Sequence, residues 1–194
     1  MRVAVMDEVA ERARRRRELT ERLVDLVLRE GLGTMGLRGL AKALGTSDRM
    51  LIYYYSNKEN LVSEVLGCLI GRLLVMFSAA GDGERVEPGV FLTRALAAGE
   101  APEVRPFMCV LSDVLSRGGR GERPYDGIAS ELVGSWTGFI RSRITETDAA
   151  PVVAIALLAI VEGMTVLELA RPGVTAGVGE MLAGVLMRRS GRKL

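Results

Sequence analysis

Apolar residues recur along this chain at intervals of three and four, and no stretch shows sustained alternation with polar ones. A period near 3.6 puts such residues on one face of a helix, whereas a half-buried strand needs a period of two. The pattern predicts an all-α fold of about nine helices. At 194 residues, 48% of them hydrophobic, the chain can bury a core as one domain of ordinary size or as a small one fused to a larger.

Caps and stops locate the helices. Leu19, Leu23, Leu26 and Val27 share one face of a first helix that Gly31 ends. Leu37, Leu40, Ala41 and Leu44 make a short stripe closed by Gly45, and Thr46-Ser47-Asp48 starts a brief aromatic helix reaching about Tyr55. Ser56-Asn57 opens a long helix with Leu61, Val65, Leu66, Leu69, Leu73 and Met76. After the turn Gly81-Asp82-Gly83-Glu84 and the start signal Pro88-Gly89, helices are expected over 91–98, 102–115 and 128–144. The loop Gly118-Gly119-Arg120-Gly121 separates the last two. Pro151 sits in the first turn of the most apolar helix and Pro172-Gly173 ends it. Val178, Met181, Leu182, Val185 and Leu186 then line one side of a final helix over 174–188.

Composition matters mainly by exclusion. With no histidine, the usual zinc sets and the commonest general base are missing, so neither a metal, a cofactor nor a catalytic site is expected. The two cysteines, Cys68 and Cys109, read as free thiols, with Cys109 a small buried hydrophobe. Residues 1–6 are followed by Asp7 and Glu8, not by an apolar stretch, so a cytoplasmic protein without a signal peptide is expected. The apolar run 152–170 carries Glu162 and Glu168, which suits a buried core helix better than a bilayer span.

Net charge is only +2, but it is unevenly spread. Residues 12–58 hold eleven basic and five acidic side chains, an excess of +6, while from residue 61 onward fourteen basic face fifteen acidic. A local positive excess of this kind suits contact with a polyanion through the N-terminal part alone. The two short helices joined at Gly45 form a candidate helix-turn-helix, whose second helix enters a major groove by its N-terminal end. Arg49 there can fork onto guanine O6 and N7, and Met50 can touch a thymine methyl. Tyr53 and Tyr54 can offer hydroxyls to phosphates, with Tyr55 packed inside, and Lys58 adds charge at the next helix start. The run Arg14-Arg15-Arg16-Arg17 is either DNA-proximal or a solvated helix face.

Leu40-Ala41-Lys42-Ala43-Leu44-Gly45-Thr46-Ser47 and Leu51-Ile52-Tyr53-Tyr54-Tyr55-Ser56-Asn57-Lys58-Glu59-Asn60-Leu61 resemble the N-terminal domain of tetracycline-repressor (TetR)-type transcriptional regulators, over about a quarter of the chain. The resemblance implies a helix-turn-helix DNA-binding domain over 8–56 and a ligand-binding and dimerisation domain over 57–190. It implies a homodimer, joined through the last two helices, on a near-palindromic double-stranded operator. A small apolar or amphipathic effector in the C-terminal cavity would release it. Arg38, Lys42, Tyr53, Tyr54 and Lys58 would then hold phosphates, and Thr46, Ser47, Arg49 and Met50 would choose sequence. The chain departs from the family pattern with Met35-Gly36 at the start of the second helix, Arg49 for Gly and Tyr54 for His. Operator preference is therefore not carried over.

For the effector, the candidates are Phe107, Met108, Leu111, Trp136, Phe139, Ile140, Glu162 and Met164. Glu162 stands out because an unpaired buried carboxylate is costly; it would orient a cationic or hydroxylated ligand, or pair with Arg141 or Arg143. Two rival readings use the same residues: a helical enzyme or carrier with a vestigial helix-turn-helix, and a membrane-surface protein using 152–170.

Overall fold

The computed structural model describes residues 2–34, 36–79, 83–145 and 150–190. Among them are nine α-helices and no strand: α1 (Arg2–Glu30), α2 (Leu37–Leu44), α3 (Asp48–Tyr55), α4 (Lys58–Ala79), α5 (Pro88–Gly99), α6 (Arg105–Gly119), α7 (Tyr125–Arg143), α8 (Ala150–Ala170) and α9 (Val178–Ser190). Among the described residues the only β-type pairing is an isolated parallel bridge between Val86 and Ile144. Gly81 and Asp82 of the expected turn lie outside the described residues, as does Met35.

Several boundaries differ from the sequence expectation: α5 begins at Pro88, α6 runs on to Gly119 through residues expected as loop, α7 begins at Tyr125, and α6 and α9 start late. Helix α6 begins at Arg105, three residues after Pro102, because 102–104 form a turn. Helix α9 begins at Val178 and not at 174. The intervening turn is held by Glu168, whose carboxylate accepts from the backbone N–H of Gly173 (2.6 Å) and of Thr175 (2.8 Å) and from the Thr175 hydroxyl. Those bonds occupy the chain before a helix can start.

The chain forms two compact units, Met1–Arg72 with Asp113–Ala129, and Leu73–Ser112 with Ser130–Leu194, so the compact division does not fall at residue 56. In the first unit, α1 buries Leu23, Val24, Leu26 and Val27, α2 buries Leu40, Ala41 and Leu44, and α4 contributes Leu61, Val62, Val65, Leu66 and Leu69. Gly45, at φ 66°, ends α2; it and Thr46 donate back to the Lys42 and Ala41 carbonyls at 3.2 and 2.9 Å. Arg22 donates to the Leu44 carbonyl at 2.9 Å, which ties α1 to that helix end.

In the second unit, Leu92, Ile140, Ile144, Ala154 and Leu157 form a core that Leu182 and Leu186 of α9 pack against. Gly89 makes the closest approach: a Cβ there would lie 2.7 Å from the Ala183 carbonyl oxygen, so only glycine lets α5 sit this near α9. Cys109 is exposed, contrary to the buried position expected, because its α6 neighbours Phe107, Met108 and Val110 take the inner face.

Two helices, Lys58–Ser78 and Ala150–Ala170, are long and apolar enough to cross a membrane by length and composition. The second is not the fully buried core helix expected. Ala154 and Leu157 are buried, while Val152, Ile155, Val166 and Leu167 are exposed. It is apolar all round, and only one of its faces meets this unit's core.

Candidate functional site

Helix α3 is anchored by its third tyrosine. Tyr55 is buried, and its hydroxyl lies 3.0 Å from the hydroxyl of Thr20, which in turn sits 3.0 Å from Glu64 on α4. A carboxylate only accepts, so Thr20 can donate to Glu64 while accepting a hydrogen bond from the Tyr55 hydroxyl. Arg16 closes the network, donating through Nε to Glu64 at 3.0 Å. Burial pushes the Tyr55 hydroxyl pKa up, with the Thr20 bond acting the other way. One partly buried polar cluster thus fixes α1, α3 and α4 together.

That anchoring decides what α3 shows to solvent. Ser47 is its N-cap, accepting from the Met50 N–H at 3.2 Å. Asp48 falls in the first turn, not at the cap, with its carboxylate 3.7 Å from Arg38. Arg49, Met50 and Tyr53 are exposed, Tyr53 by 53%. Arg38, Lys42, Ser47 and Lys58 are exposed as well, and Thr46 is half-buried. Lys58 opens α4, where the Asn57 side chain caps the Asn60 N–H at 2.7 Å.

Tyr54 requires a correction. It is only 7% exposed, so its ring is core and does not stand outward beside Tyr53. The reason is helical spacing: Tyr54 follows Leu51 by three and shares its buried face, while Tyr53 is turned away. The two rings meet edge to face at 5.2 Å. The basic run on α1 is also largely engaged. Arg14 pairs with Glu11 and Glu18, Arg15 with Glu11, and Arg16 with Glu64. Hydrogen bonds from Arg14 and Arg15 pull the Glu11 carboxyl down to about 2. Arg12 instead reaches α3, donating to the Tyr53 carbonyl at 2.9 Å.

The second unit contains a cavity with about 410 Å³ between its walls, part of it open to solvent. Five expected residues line it: Met108, Trp136, Phe139, Ile140 and Glu162. Phe107, Leu111 and Met164 do not. Phe107 and Leu111 are buried in α6 without reaching the gap, and Met164 lies beside Gly179 of α9. Sequence reasoning missed Phe77, Phe91, Ala95, Leu158 and Val161. Phe77 and Phe91 could have been flagged as two of only four phenylalanines, but helical period alone does not tell a cavity wall from core.

Trp136 packs edge-on against Phe77 (5.3 Å) and Phe139 (5.7 Å). Two polar atoms in this apolar lining are buried without a hydrogen-bond partner, Trp136 Nε1 and Glu162 Oε2. Burial pushes the Glu162 carboxyl pKa up. Neither Arg141 nor Arg143 pairs with it among the described residues; Arg143 lies over the Phe139 ring, 5.2 Å from its centroid.

No protein-family model matches the sequence, and no curated protein does. Solved structures match across nearly the whole chain. A transcriptional regulator from Rhodococcus sp. Rha1 aligns with a TM-score of 0.72 at 18% identity, over 90% of this chain and 96% of that one. A putative TetR-family transcriptional regulator from Rhodococcus sp. gives 0.71 at 17%, over 91% and 98%. The multidrug binding protein EbrR, complexed with imidazole, gives 0.65 at 18%, over 90% and 89%. Likeness at such low identity establishes the fold, which is that of TetR-type transcriptional regulators.

Proposed function

We propose that this chain, built on the TetR-type fold, is a homodimeric DNA-binding transcriptional regulator, a repressor released from a palindromic operator by a small molecule. The observation that carries the reading is the outward set Arg49, Met50 and Tyr53 on the second helix of a helix-turn-helix, within residues 12–58 and their +6 excess of charge. Arg38, Lys42, Tyr53 and Lys58 supply salt-sensitive phosphate contacts, with Tyr54 reduced to whatever its hydroxyl can reach. Thr46, Ser47, Arg49 and Met50 read bases. The aromatic cavity takes the effector, which favours a spacing of the two reading heads that no longer fits successive major grooves.

Dimerisation is supported by an unpartnered apolar stripe. Val152, Ile155, Ala159, Gly163 and Val166 of α8 are exposed along one side, and Met181 and Val185 of α9 are exposed too. Exposed apolar side chains of this kind on a regulator are best covered by a second copy. In sedimentation equilibrium the protein should run as a dimer and Ile155→Glu as a monomer. Flotation with phospholipid vesicles would instead assign the stripe to a membrane surface.

The decisive experiment is fluorescence anisotropy on a duplex from upstream of the chain's own gene, titrated across salt, with a random duplex beside it. Salt-dependent binding that prefers the upstream duplex and disappears in the Arg49→Ala/Tyr53→Ala variant supports the regulator. Equal weak binding to both duplexes counts against it.

A further inference from the structure

We infer that the cavity of the second unit selects a lipophilic organic monocation, and that Glu162 takes it up as counter-ion by giving its proton to solvent. The inference rests on reading this cavity as the effector site, and it adds the ligand's charge. Four aromatic rings, Phe77, Phe91, Trp136 and Phe139, lie in one lining. Their negative faces attract a cation most strongly where water is excluded. The same lining holds one titratable group, Glu162, whose Oε2 is buried and unpartnered.

The surrounding charges leave that role open. On α8 itself, Glu168 is taken up by Gly173 and Thr175. On the other helices of the unit, Arg94, Arg141 and Glu180 are exposed, Arg105 donates to the Leu169 carbonyl, and Arg143 stacks on Phe139. None lines the cavity. Burial is the sole influence pushing the carboxyl up, which an incoming cation reverses. A neutral ligand would keep the proton on Glu162 as a hydrogen-bond donor; a cation expels it. The exchange balances as one cation bound and one proton released.

Trp136 is the chain's single tryptophan, so its fluorescence reports on the cavity wall directly. The probes are benzyltrimethylammonium and its uncharged isostere 2,2-dimethylpropylbenzene, titrated into the intact protein. The expected result is a preference for the cation of about tenfold or more above neutral pH. Its affinity should climb toward about tenfold per pH unit through the carboxyl's titration and level off above it. Glu162→Gln should lose both the preference and the pH dependence while still binding the isostere, which shows an intact cavity.

Equal affinity for the two probes, or a pH-independent cation affinity in the unmodified protein, overturns the inference without need of the variant. The anisotropy assay keeps the two readings apart. Specific DNA binding without a cation preference sinks only this inference, and a cation preference without specific DNA binding sinks only the regulator.

Discussion

Arg12 and Tyr53 are joined twice: the guanidinium donates to the Tyr53 carbonyl at 2.9 Å and lies 4.4 Å from the centroid of its ring. A residue 41 positions earlier thereby holds the most exposed aromatic side chain of α3 in one orientation. Arg12→Ala frees that ring without opening the core. DNA affinity should fall about fivefold, the equivalent of about 1 kcal/mol, with the thermal midpoint nearly unchanged. An unchanged affinity would show that the ring's orientation does not matter to the complex.

Adjacent tyrosines should fail in opposite ways. Tyr53→Ala removes an exposed side chain, so DNA binding weakens while stability holds. Tyr54→Ala empties a buried site and should cost about 3 kcal/mol in denaturant unfolding. If both variants are equally stable, Tyr54 is not core.

Arg49 and Lys58 are both exposed cations, yet they stand at different ends of the reading unit, one in the first turn of α3 and one at the start of α4. Arg49→Ala should relax base preference by about 1–3 kcal/mol at one operator position. Lys58→Ala should weaken every duplex alike and reduce the salt slope by about one counterion. Anisotropy on a set of single-base operator variants separates the two, and equal losses across the set for both would refute the division.

Glu162 also makes a prediction about stability. A carboxyl whose pKa is raised by folding opposes the folded state whenever it must ionise. That opposition is full above the folded pKa and fades as pH falls toward the ordinary value of 4.5. Glu162→Gln should therefore raise the melting temperature near pH 8 by a few degrees, for about 1 kcal/mol, and by almost nothing near pH 4.5. A gain that is the same at both pH values would mean the titration of Glu162 is not coupled to folding.

Much of the first unit could be read from the chain. Helix α2 occupies Leu37–Leu44 as its stripe and Gly45 predict, and Ser47 and Asn57 cap as their residue types require. These are local decisions, set by neighbours within one helical turn. The burial of Tyr54 was not legible because tyrosine suits either face, and only the position of Leu51 against the core chose one. The cavity was half legible for a related reason: Phe107 and Met108 are both buried and adjacent, but one lines the space and the other does not. A helical period assigns an inner face; it does not say which inner residues meet a gap.

By itself the sequence determined the order of the helices, the caps at Ser47 and Asn57, and the +6 excess of charge in residues 12–58, because each depends on short-range spacing or on counting. Only the tertiary structure decided that Arg12 grips Tyr53, that Arg16, Thr20, Tyr55 and Glu64 form one network, and that Glu162 Oε2 is buried without a partner in an aromatic cavity. Each of these depends on side chains tens of residues apart meeting in space. Their energies come from what is excluded or left unpaired there, and no local pattern encodes that.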